Sequence, residues 1–539
     1  MKMLMNKVTS LALTTLLLAP LAALYAADAP KPSSAVMQQL LAASVARAAA
    51  EGRADVHLPA GIVLLEHGLV FEGLRNLVID GTGTTLVCRD WKDVALHFKE
   101  CAGITLRGVT IDYDPLPFTQ GTVIGRAEDG VWIELKLHEG YRDYDEGFRE
   151  GTVAGFAHVF EPQEHRWKTN APDLFPKRIT VSGPRRLRLE PHPNPLAKNV
   201  QVGDRVVFDY RGRAGIRFLK CENVRVKGVT ILAAPGVALM CRYMKGENRF
   251  SYDIRPGPPP SGASQPRLIS SCADGFNYAQ ARQGPVVENC HFSFMGDDSV
   301  NLHGPTFMVA EQITDREIIV GWQWNQEYLP WLIQPGDIVR RLKHGNFSIG
   351  GEAALESFAH ETKPDARWTE SVRQHWPKLP EMRGFFRLKL RASLPCEPGE
   401  AIEFPGLNAP NFRIVGCEFR DHRARGLRIA ASHGLIEDNV FERIKWNGLS
   451  VGPEFGYWCE AGWVSDLIIR KNRFREVNLA SDREAHASAA ISIMARTDSP
   501  SPWPPDGRGN ARILIEENVF DHCGGEPVKV DYAREVTIK

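Results

Sequence analysis

Apolar and polar residues alternate in short runs that recur along the chain. Residues 104–111 read Ile-Thr-Leu-Arg-Gly-Val-Thr-Ile, and residues 224–231 read Val-Arg-Val-Lys-Gly-Val-Thr-Ile. Alternation with a period of two residues is typical of a β-strand that buries one face. Two such similar runs, far apart in the chain, indicate a repeated structural unit built from strands.

A second pattern marks the later part of the chain, where segments carry Cys or Asn, one variable residue and then Phe. These segments are Cys290–Phe292, Cys417–Phe419, Asn439–Phe441, Asn472–Phe474 and Asn518–Phe520. The second and third begin 22 residues apart, and a fixed period is typical of a solenoid. The pattern predicts an all-β fold, a right-handed parallel β-helix, in which like residues of successive turns stack about 4.8 Å apart. An all-β sandwich does not explain the repeated motif.

Two stretches without the repeat interrupt the predicted solenoid. Residues 115–210 and residues 305–405 contain short strand-like runs, and we expect two small β-barrels inserted into the β-helix. The helix-like residues 34–51, with Ser34 as N-cap, are expected to cover the open strand edge at the amino-terminal end. The rest of the predicted β-helix consists of residues 27–114, 211–304 and 406–539.

The first residues of the chain are typical of an export signal. Lys2 and Lys7 precede an apolar run, Leu11–Leu24, that is too short to span a membrane comfortably. Small residues and a charged aspartate follow. We therefore expect cleavage of residues 1–26 as a signal peptide, and a periplasmic or secreted protein with no membrane span after cleavage.

Composition narrows the classes of function. The 539 residues include 65 Lys and Arg against 65 Asp and Glu, and 43% are hydrophobic, so the chain is globular with no net charge. Because nucleic-acid binders usually carry a basic excess, we expect no nucleic-acid partner. The ten cysteines show no metal-like spacing, which argues against a zinc site and leaves both disulfides and buried free thiols open. The sequence also leaves a homo-oligomer open.

Acidic residues concentrate in two segments that lie about one predicted turn apart. Asp274 lies in a Cys-Ala-Asp-Gly-Phe-Asn segment, and Asp298 follows 24 residues later, next to Asp297. Stacking of Phe276 on Val300 would bring the three carboxylates together, and their mutual repulsion would raise at least one pKa. A protonated carboxyl beside ionised ones is what glycoside hydrolysis requires. Calcium binding and an inert polar ladder are the alternatives.

These motifs resemble those of glycoside hydrolase family 110. The resemblance lies in the solenoid, the Asp-Gly turn at Asp274, and the pair Asp297 and Asp298 followed by Asn-Leu-His-Gly at 301–304, and it covers most of the chain. It implies an exo-acting α-1,3-galactosidase, of the group that removes the terminal galactose of the blood-group B epitope. It also implies inverting hydrolysis without a metal or other cofactor. Asp297 would be the general acid, and Asp274 and Asp298 would hold and deprotonate the attacking water.

Two further segments bear on this resemblance. Residues 458–462, Trp-Cys-Glu-Ala-Gly, resemble a segment of the same family, with Cys459 and Ala461 as departures. Polygalacturonases share the arrangement of one Asp followed by an Asp pair a turn later. Their Gly-His-Gly turn and Arg-Ile-Lys triplet are not matched here, where residues 425–430 read Arg-Gly-Leu-Arg-Ile-Ala.

The register of the repeats predicts which side chains flank the acids. Matching the repeats stacks Asp298 over Arg425 and then Asn447, and Asn301 over Arg428. Arginines beside the acids would bind sugar hydroxyls and tune the carboxylate pKa values, or only neutralise the acids. The expected substrate is a galactose-terminated glycan. The candidate substrate-binding residues are Asn301, His303, Arg425, Arg428, Asn447, Trp458 and Glu460, with Trp446 as a further candidate for the pocket wall.

Three other functions suit the same predicted fold. A polygalacturonase-like hydrolase shares the acid arrangement. A polysaccharide lyase would need a Lys or Arg base and a basic cleft for its acidic substrate, and the neutral charge balance counts against it. A non-enzymatic glycan-binding solenoid has no need of three clustered acids.

Overall fold

The computed structural model shows a coil of short parallel strands, interrupted by two inserted antiparallel sheets. The residues that the structure describes are 34–144, 156–191, 199–209, 211–324, 328–480, 489–496 and 509–539. The predicted signal peptide, residues 1–26, lies outside them. The helices are α1 (Ser34–Ala50), α2 (Leu329–Leu332) and α3 (Ala366–His375), with a 3-10 helix at Pro405–Leu407.

The strands are short throughout the coil and longer in the insertions. Before the first insertion they are β1 (Asp55–His57), β2 (Gly61–Leu65), β3 (Leu69–Glu72), β4 (Val78–Asp80), β5 (Thr84–Cys88), β6 (Leu96–Lys99), β7 (Thr105–Arg107) and β8 (Thr110–Tyr113). The first insertion contains β9 (Phe118–Arg126), β10 (Ile133–Leu137), β11 (Phe156–Phe160), β12 (Pro176–Gly183), β13 (Arg186–Pro191) and β14 (Arg205–Asp209).

The coil then continues up to the second insertion. Its middle strands are β15 (Ile216–Leu219), β16 (Arg225–Ile231), β17 (Leu239–Arg242), β18 (Arg249–Ile254), β19 (Phe276–Ala279), β20 (Val286–Glu288) and β21 (His291–Ser293). The second insertion contains β22 (Val300–Thr314), β23 (Glu317–Trp322), β24 (Ile338–Leu342), β25 (Ile349–His360), β26 (Gly384–Leu390) and β27 (Ala401–Glu403).

The last part of the coil follows the second insertion. Its strands are β28 (Arg413–Val415), β29 (Glu418–His422), β30 (Leu427–Ile429), β31 (Gly434–Glu437), β32 (Val440–Ile444), β33 (Leu449–Val451), β34 (Glu460–Ala461), β35 (Ser465–Arg470), β36 (Arg473–Arg475), β37 (Ala489–Ile493), β38 (Asn510–Glu516), β39 (Val519–Asp521), β40 (Glu526–Val530) and β41 (Ala533–Ile538).

Strands of successive turns pair in parallel, so the predicted parallel β-helix is confirmed. One long series runs through β3, β6, β15, β17, β19, β22, β30, β33, β37 and β40, each paired in parallel with the next. Phe276 pairs with Val300, and Val300 pairs with Leu427. This register is the one that the sequence repeats predict, and it brings the turns before β19, β22 and β30 side by side.

The repeated Asn and Phe positions form ladders inside the coil. The Asn439 amide donates to Asn472 Oδ1, and the Asn472 amide donates to Asn518 Oδ1, each at 2.9 Å. The ring of Phe441 stacks between Phe419 and Phe474, with centroids 5.2 and 4.7 Å away. The Asn ladder satisfies buried polar groups at each turn and the Phe ladder fills the interior, which explains why both residues recur.

Cysteine occupies the same ladder position in the earlier turns. All ten cysteines are free thiols in the structure, and nine of them are buried. The Cys290 thiol donates to the carbonyl oxygen of Phe250, one turn away, at 3.5 Å. Of the two readings that the sequence left open, the structure therefore shows buried thiols that pack as small apolar residues.

Helix α1 packs against β1, β2 and β3 at the amino-terminal end of the coil. Its residues Leu41, Val45 and Ala48 are buried in the same core as the first strands. The helix therefore covers the position where a terminal turn would otherwise expose apolar interior. No helix of the described residues is long and apolar enough to cross a membrane.

The two insertions are both antiparallel but differ in closure. The first is a six-stranded sheet in the order β11-β14-β9-β10-β13-β12. In the second, β22 pairs with β27 and β23, and the path through β24, β25 and β26 completes a ring of six strands. Strand β22 belongs to both the coil and this barrel, because its first residues pair with β19 and β30. The barrel is thereby fixed rigidly beside the turn that carries Asp297 and Asp298.

Replacing Phe441 with alanine should destabilise the protein strongly, because Phe441 is fully buried between two stacked rings. We expect a loss of about 3–5 kcal/mol in the free energy of unfolding, measured by urea titration. Val519→Ala, at a side chain 57% exposed, serves as control and should change the free energy by less than about 0.5 kcal/mol. Equal losses in both variants would contradict the ladder account.

Candidate active site

A cavity of about 490 Å³ lies over the turns that carry the acidic residues. Its floor comes from the parallel strands β15, β17, β19 and β22, and Trp322 and Arg383 of the barrel form part of its wall. The size falls in the range of small-molecule sites. The lining residues used below are Arg211, Asp274, Asn277, Asp297, Asp298, Asn301, His303, Trp322, Trp324, Arg383, Arg425, Glu454, Trp458 and Glu460.

The structure brings the three predicted aspartates together at this cavity. Each of Asp274, Asp297 and Asp298 offers a carboxylate oxygen, and these oxygens all lie within 4.8 Å of one another. Asp297 and Asp298 precede β22 and lie outside any strand, with a bend at Asp297. Neighbouring side chains of a strand point to opposite faces, and the bend removes that restriction, so both carboxylates face the cavity.

Asp298 is the most enclosed of the three carboxylates, with 1% of the residue exposed. Its Oδ1 accepts hydrogen bonds from the backbone N–H of Arg425 at 3.0 Å and from Arg425 Nε at 2.9 Å. Burial raises the pKa of Asp298, and the Arg425 guanidinium opposes this without cancelling it. The predicted stacking of Asp298 on Arg425 therefore corresponds to a direct charge-assisted contact.

Asp297 lies between two arginines and is the most exposed of the three, with 21% of its side chain accessible. Arg211 Nη1 donates to its Oδ2 at 2.8 Å, and Arg423 Nη1 lies 3.0 Å from its Oδ1. Burial acts to raise the pKa of Asp297, but Arg423, Arg211 and Arg425 outweigh it and lower the pKa to about 2. Asp297 is thus ionised in the free protein.

Asp274 has the opposite electrostatic environment. Its only hydrogen-bond donor among the described side chains is Asn277 Nδ2, at 2.6 Å from Oδ2. Burial, followed by the charges of Asp297 and Asp298, raises the pKa of Asp274 well above its usual range. The trio therefore combines a carboxyl that retains a proton with one that is held ionised, as acid–base catalysis requires.

Two glutamates extend the acidic cluster on the far side of Arg425. Glu454 Oε2 lies 3.4 Å from Arg425 Nη1 and 3.6 Å from Arg428 Nε. Glu460 Oε1 accepts a hydrogen bond from Asn301 Nδ2 at 3.1 Å, and burial raises the pKa of Glu460. These contacts fix Asn301 and Glu460 at the cavity wall with polar atoms that face its interior.

His303 lies beside Glu460 and is buried. Its Nε2 is 3.7 Å from Glu460 Oε1, and its Nδ1 is 3.2 Å from the carbonyl oxygen of Gly304. Burial and the charge of Arg242 lower the pKa of His303 to about 3. His303 is therefore a neutral imidazole at the cavity, able to form hydrogen bonds but not to carry charge.

Three residues predicted to contact substrate do not line the cavity. Arg428 is fully buried beneath Glu454 and Glu460, so it acts behind the wall. The amide of Asn447 is directed to the next turn, where it donates to the carbonyl oxygen of Ala489 at 2.7 Å. Trp446 packs on the Arg423 guanidinium, whose Cζ atom lies 4.7 Å from the centroid of the Trp446 ring. The register predicts which turns are adjacent, but it does not say whether a side chain points to the cavity.

Several lining residues escape sequence reasoning. Arg211 and the barrel residues Trp322, Trp324 and Arg383 come from segments outside the repeat, and no periodicity points to them. Arg423, which contacts Asp297 without lining the cavity, lies two residues before the predicted Arg425. Trp458 and Glu460, by contrast, were predicted and do line the cavity.

A cation is a chemical alternative for a cluster of three carboxylates. The trio offers oxygens close enough to surround one. Guanidinium groups already occupy this role, however, since Arg211 and Arg423 contact Asp297 and Arg425 contacts Asp298. The charge compensation of the site is therefore built into the chain.

Comparison with known proteins shows which enzymes this chain resembles in sequence. No family model matches the chain. An α-1,3-galactosidase B from Phocaeicola vulgatus is 22% identical over 503 residues, covering 87% of this chain and 79% of the relative. The α-1,3-galactosidase B of Bacteroides thetaiotaomicron is 24% identical over 493 residues, covering 87% of this chain and 73% of the relative. The chain is a distant relative of the α-1,3-galactosidases.

Two further comparisons concern an α-1,3-galactosidase A and a solved structure. An α-1,3-galactosidase A of Bacteroides thetaiotaomicron is 22% identical over 472 residues, covering 84% of this chain and 74% of the relative. Among solved structures, a hyperthermoactive exopolygalacturonase from Thermotoga maritima has 12% identity and a TM-score of 0.36. That comparison covers 93% of this chain and 86% of the other.

Replacing Asp274 with asparagine should stabilise the protein at neutral pH. Because the folded-state pKa is raised, the folded protein binds this proton more tightly than the unfolded chain. That stabilisation is complete below the unfolded pKa, near 3.9, and is lost as pH rises through the folded pKa. Asparagine at position 274 cannot ionise, so it removes this loss of stability, and its side-chain oxygen can still accept the Asn277 hydrogen bond.

We expect Asp274→Asn to unfold at higher urea than the parent at pH 7. The gain should shrink as pH falls below about 4, where the unfolded chain also binds this proton. Asp315→Asn, at an exposed aspartate, is the control and should leave the midpoint unchanged. A destabilised Asp274→Asn variant at pH 7 would contradict the electrostatic account.

Proposed function

We propose that the protein is an exo-acting glycoside hydrolase of family 110 that releases terminal α-1,3-linked galactose from glycans. One observation carries the proposal: three aspartates meet in one cavity, and their surroundings shift their pKa values in opposite directions. Distant relationship to α-1,3-galactosidases supports the choice of sugar and linkage. Blood-group B glycans and linear α-1,3-galactosides are both substrates to be tested.

The proposed reaction is direct displacement at the anomeric carbon by water. The carboxylate oxygens of Asp274 and Asp298 lie within 4.8 Å of each other, so a single water can hydrogen-bond to both. Acid and base of inverting enzymes are typically about 6.5–9.5 Å apart, and the oxygens of this trio are closer. In our proposal the proton of Asp274 passes to Asp297 when substrate binds, and Asp274 and Asp298 then hold the water as two carboxylates, in place of one base across a wide gap.

Asp297 is the proposed general acid. The family resemblance assigns this role to it, and it is the carboxylate most accessible from the cavity. In the free protein the proton of the trio resides on the side of Asp274, because arginines hold Asp297 ionised. The proposed role therefore requires that substrate binding weakens the hold of the arginines on Asp297.

Galactose binding is proposed to use polar residues of β22 and β34, two strands that pair beside the trio. Asn301, His303 and Glu460 present an amide, a neutral imidazole and a carboxyl to the cavity, a combination suited to sugar hydroxyls. Trp458 lies at the same wall with 48% exposure, and an aromatic face packs on the C–H face of a sugar. The barrel tryptophans Trp322 and Trp324 enclose the other side, which favours action at a chain end.

The remaining alternatives fit the site less well. A lyase acting on uronates would be served by a basic excess in its cleft, whereas this cavity combines five carboxylates with five guanidiniums. A binding module gains nothing from a buried carboxyl with a raised pKa. We also propose export of the protein, on the strength of the basic start and apolar run within residues 1–26.

The substrate test is a screen of terminal α-galactosides of defined linkage. We expect free galactose from α-1,3-linked substrates and little from α-1,4- and α-1,6-linked ones. Proton NMR of early product should show the β-anomer, as inversion requires, and a chelator should leave the rate unchanged because guanidiniums compensate the acids. Release of α-galactose would contradict inversion, and activity lost in chelator and restored by calcium would show a metal-dependent site.

The identity of the acid can be tested with leaving groups. A nitrophenyl galactoside needs little protonation on departure, so loss of the acid should cost least on this substrate. We expect Asp297→Asn to lose several orders of magnitude in kcat on a natural disaccharide and far less on the nitrophenyl substrate. Asp274→Asn should be equally impaired on both. The reverse pattern would assign the acid role to Asp274.

A further inference from the structure

The first inserted sheet reaches the catalytic trio through a buried ion pair. Asp173 lies between β11 and β12, next to Leu174, which bridges to Ala157 of β11. Its Oδ2 accepts from Arg423 Nε at 2.6 Å and lies 2.5 Å from Arg423 Nη2. The third nitrogen of the same guanidinium, Nη1, lies 3.0 Å from Asp297 Oδ1. One arginine is thus shared by two carboxylates.

The shared guanidinium has little freedom to move while Asp173 binds two of its nitrogens. The Arg423 side chain is only 6% exposed. Trp446 packs against it, with the ring centroid 4.7 Å away, and its Nη1 also donates to the carbonyl oxygen of Gly296 at 3.1 Å. An arginine fork is well suited to such two-sided binding because its N–H groups lie in one plane with fixed directions.

Asp173 has further charged or polar neighbours, one from the coil and one from the insertion. Lys445 Nζ lies 3.8 Å from its Oδ1, and His158 Nδ1 lies 3.6 Å from the same atom. His158 Nε2 in turn contacts Asp209 Oδ2 at 3.1 Å. A chain of buried polar groups therefore runs from the core of the inserted sheet to the cavity, although Asp173 does not line the cavity.

We propose that Asp173 is a positioning residue that competes with Asp297 for the Arg423 guanidinium, so that Asp297 can take up a proton when substrate binds. The inference rests on the proposed function. It gives the first insertion a role in catalysis, since without Asp173 the whole charge of Arg423 would fall on Asp297.

Asp297 is surrounded by charged and titratable groups from several turns, and all of them set its protonation. They are Arg211, Asp274, Asp298, His422, Arg423 and Arg425. Asp173→Asn changes none of these residues but removes the carboxylate that shares Arg423. The variant should therefore hold Asp297 more strongly in its ionised form.

The test compares pH profiles of kcat and dependence on the leaving group. In Asp173→Asn we expect the alkaline limb of kcat, which reports the acid, to move to lower pH. The kcat on a natural α-1,3-galactoside should fall, by less than the roughly 100–10,000-fold that general acid–base catalysis contributes, with KM nearly unchanged and a smaller fall on the nitrophenyl substrate. Arg423→Gln should move the same limb to higher pH.

Asp204→Asn is the matched control. Asp204 is a fully buried aspartate of the same insertion, paired with Lys168 at 2.7 Å, and it should lower stability while leaving the pH profile in place. Equal kinetic losses in Asp204→Asn and Asp173→Asn would overturn the inference, as would an unmoved alkaline limb in Asp173→Asn. If Asp173→Asn does not fold, Arg423→Gln decides alone, and an unmoved limb overturns the inference.

A crystal structure of Asp173→Asn separates this inference from the proposed function. We expect the Arg423 guanidinium to turn and pair with Asp297 through two nitrogens. If the guanidinium turns in this way but the parent protein releases no galactose, the galactosidase proposal is refuted and the positioning role is retained. A guanidinium that keeps its parent position would overturn the positioning role whatever the activity.

Discussion

Repulsion among buried carboxylates is the constraint on which this site depends. Asp274, Asp297 and Asp298 place oxygens within 4.8 Å of one another in a largely buried cavity, where like charges interact strongly. The chain compensates with guanidiniums directed at two of the three, while Asp274 accepts a hydrogen bond from an amide. This unequal compensation separates the pKa values and gives the trio the mixed protonation that the proposed hydrolysis would use.

The parallel coil is what makes such crowding attainable. Successive strands lie about 4.8 Å apart, so residues at equivalent places of adjacent turns are neighbours. Asp274 precedes β19, Asp298 precedes β22 and Arg425 precedes β30, and these three strands pair in register. The Asn and Phe ladders hold the turns in that register over the length of the coil. Positions set by backbone pairing need little further support from flexible side chains.

Sequence reasoning was effective wherever the repeat applied. The Asn-x-Phe motif predicts the ladders, and the spacing of Asp274 and Asp298 predicts their meeting, because identical backbone pairing repeats in each turn. The repeat was less effective at predicting the direction in which a side chain points. Asn447 occupies the predicted turn, yet its amide points along the coil to Ala489. Which way a side chain points depends on the bend of each turn, and the repeat does not encode it.

The contacts that the inserted segments make with the site were the other feature that the sequence did not predict. Asp173 meets Arg423 across 250 residues of sequence, and no periodic signal connects them. Two separate segments therefore converge on Asp297: the repeat supplies Arg423, and the insertion supplies the partner that shares it. The rigid coil presents this insertion at a fixed place beside Asp297, as scaffolds do for loops that carry function.

The most direct test of the account is galactose release by the parent protein and by Asp274→Asn, Asp297→Asn and Asp298→Asn on one terminal α-1,3-galactoside. Because each carboxyl has a separate role in the trio, kcat should fall by several orders of magnitude in all three variants while the fold is retained. Near-parental turnover in all three would contradict the claim that this cluster performs hydrolysis.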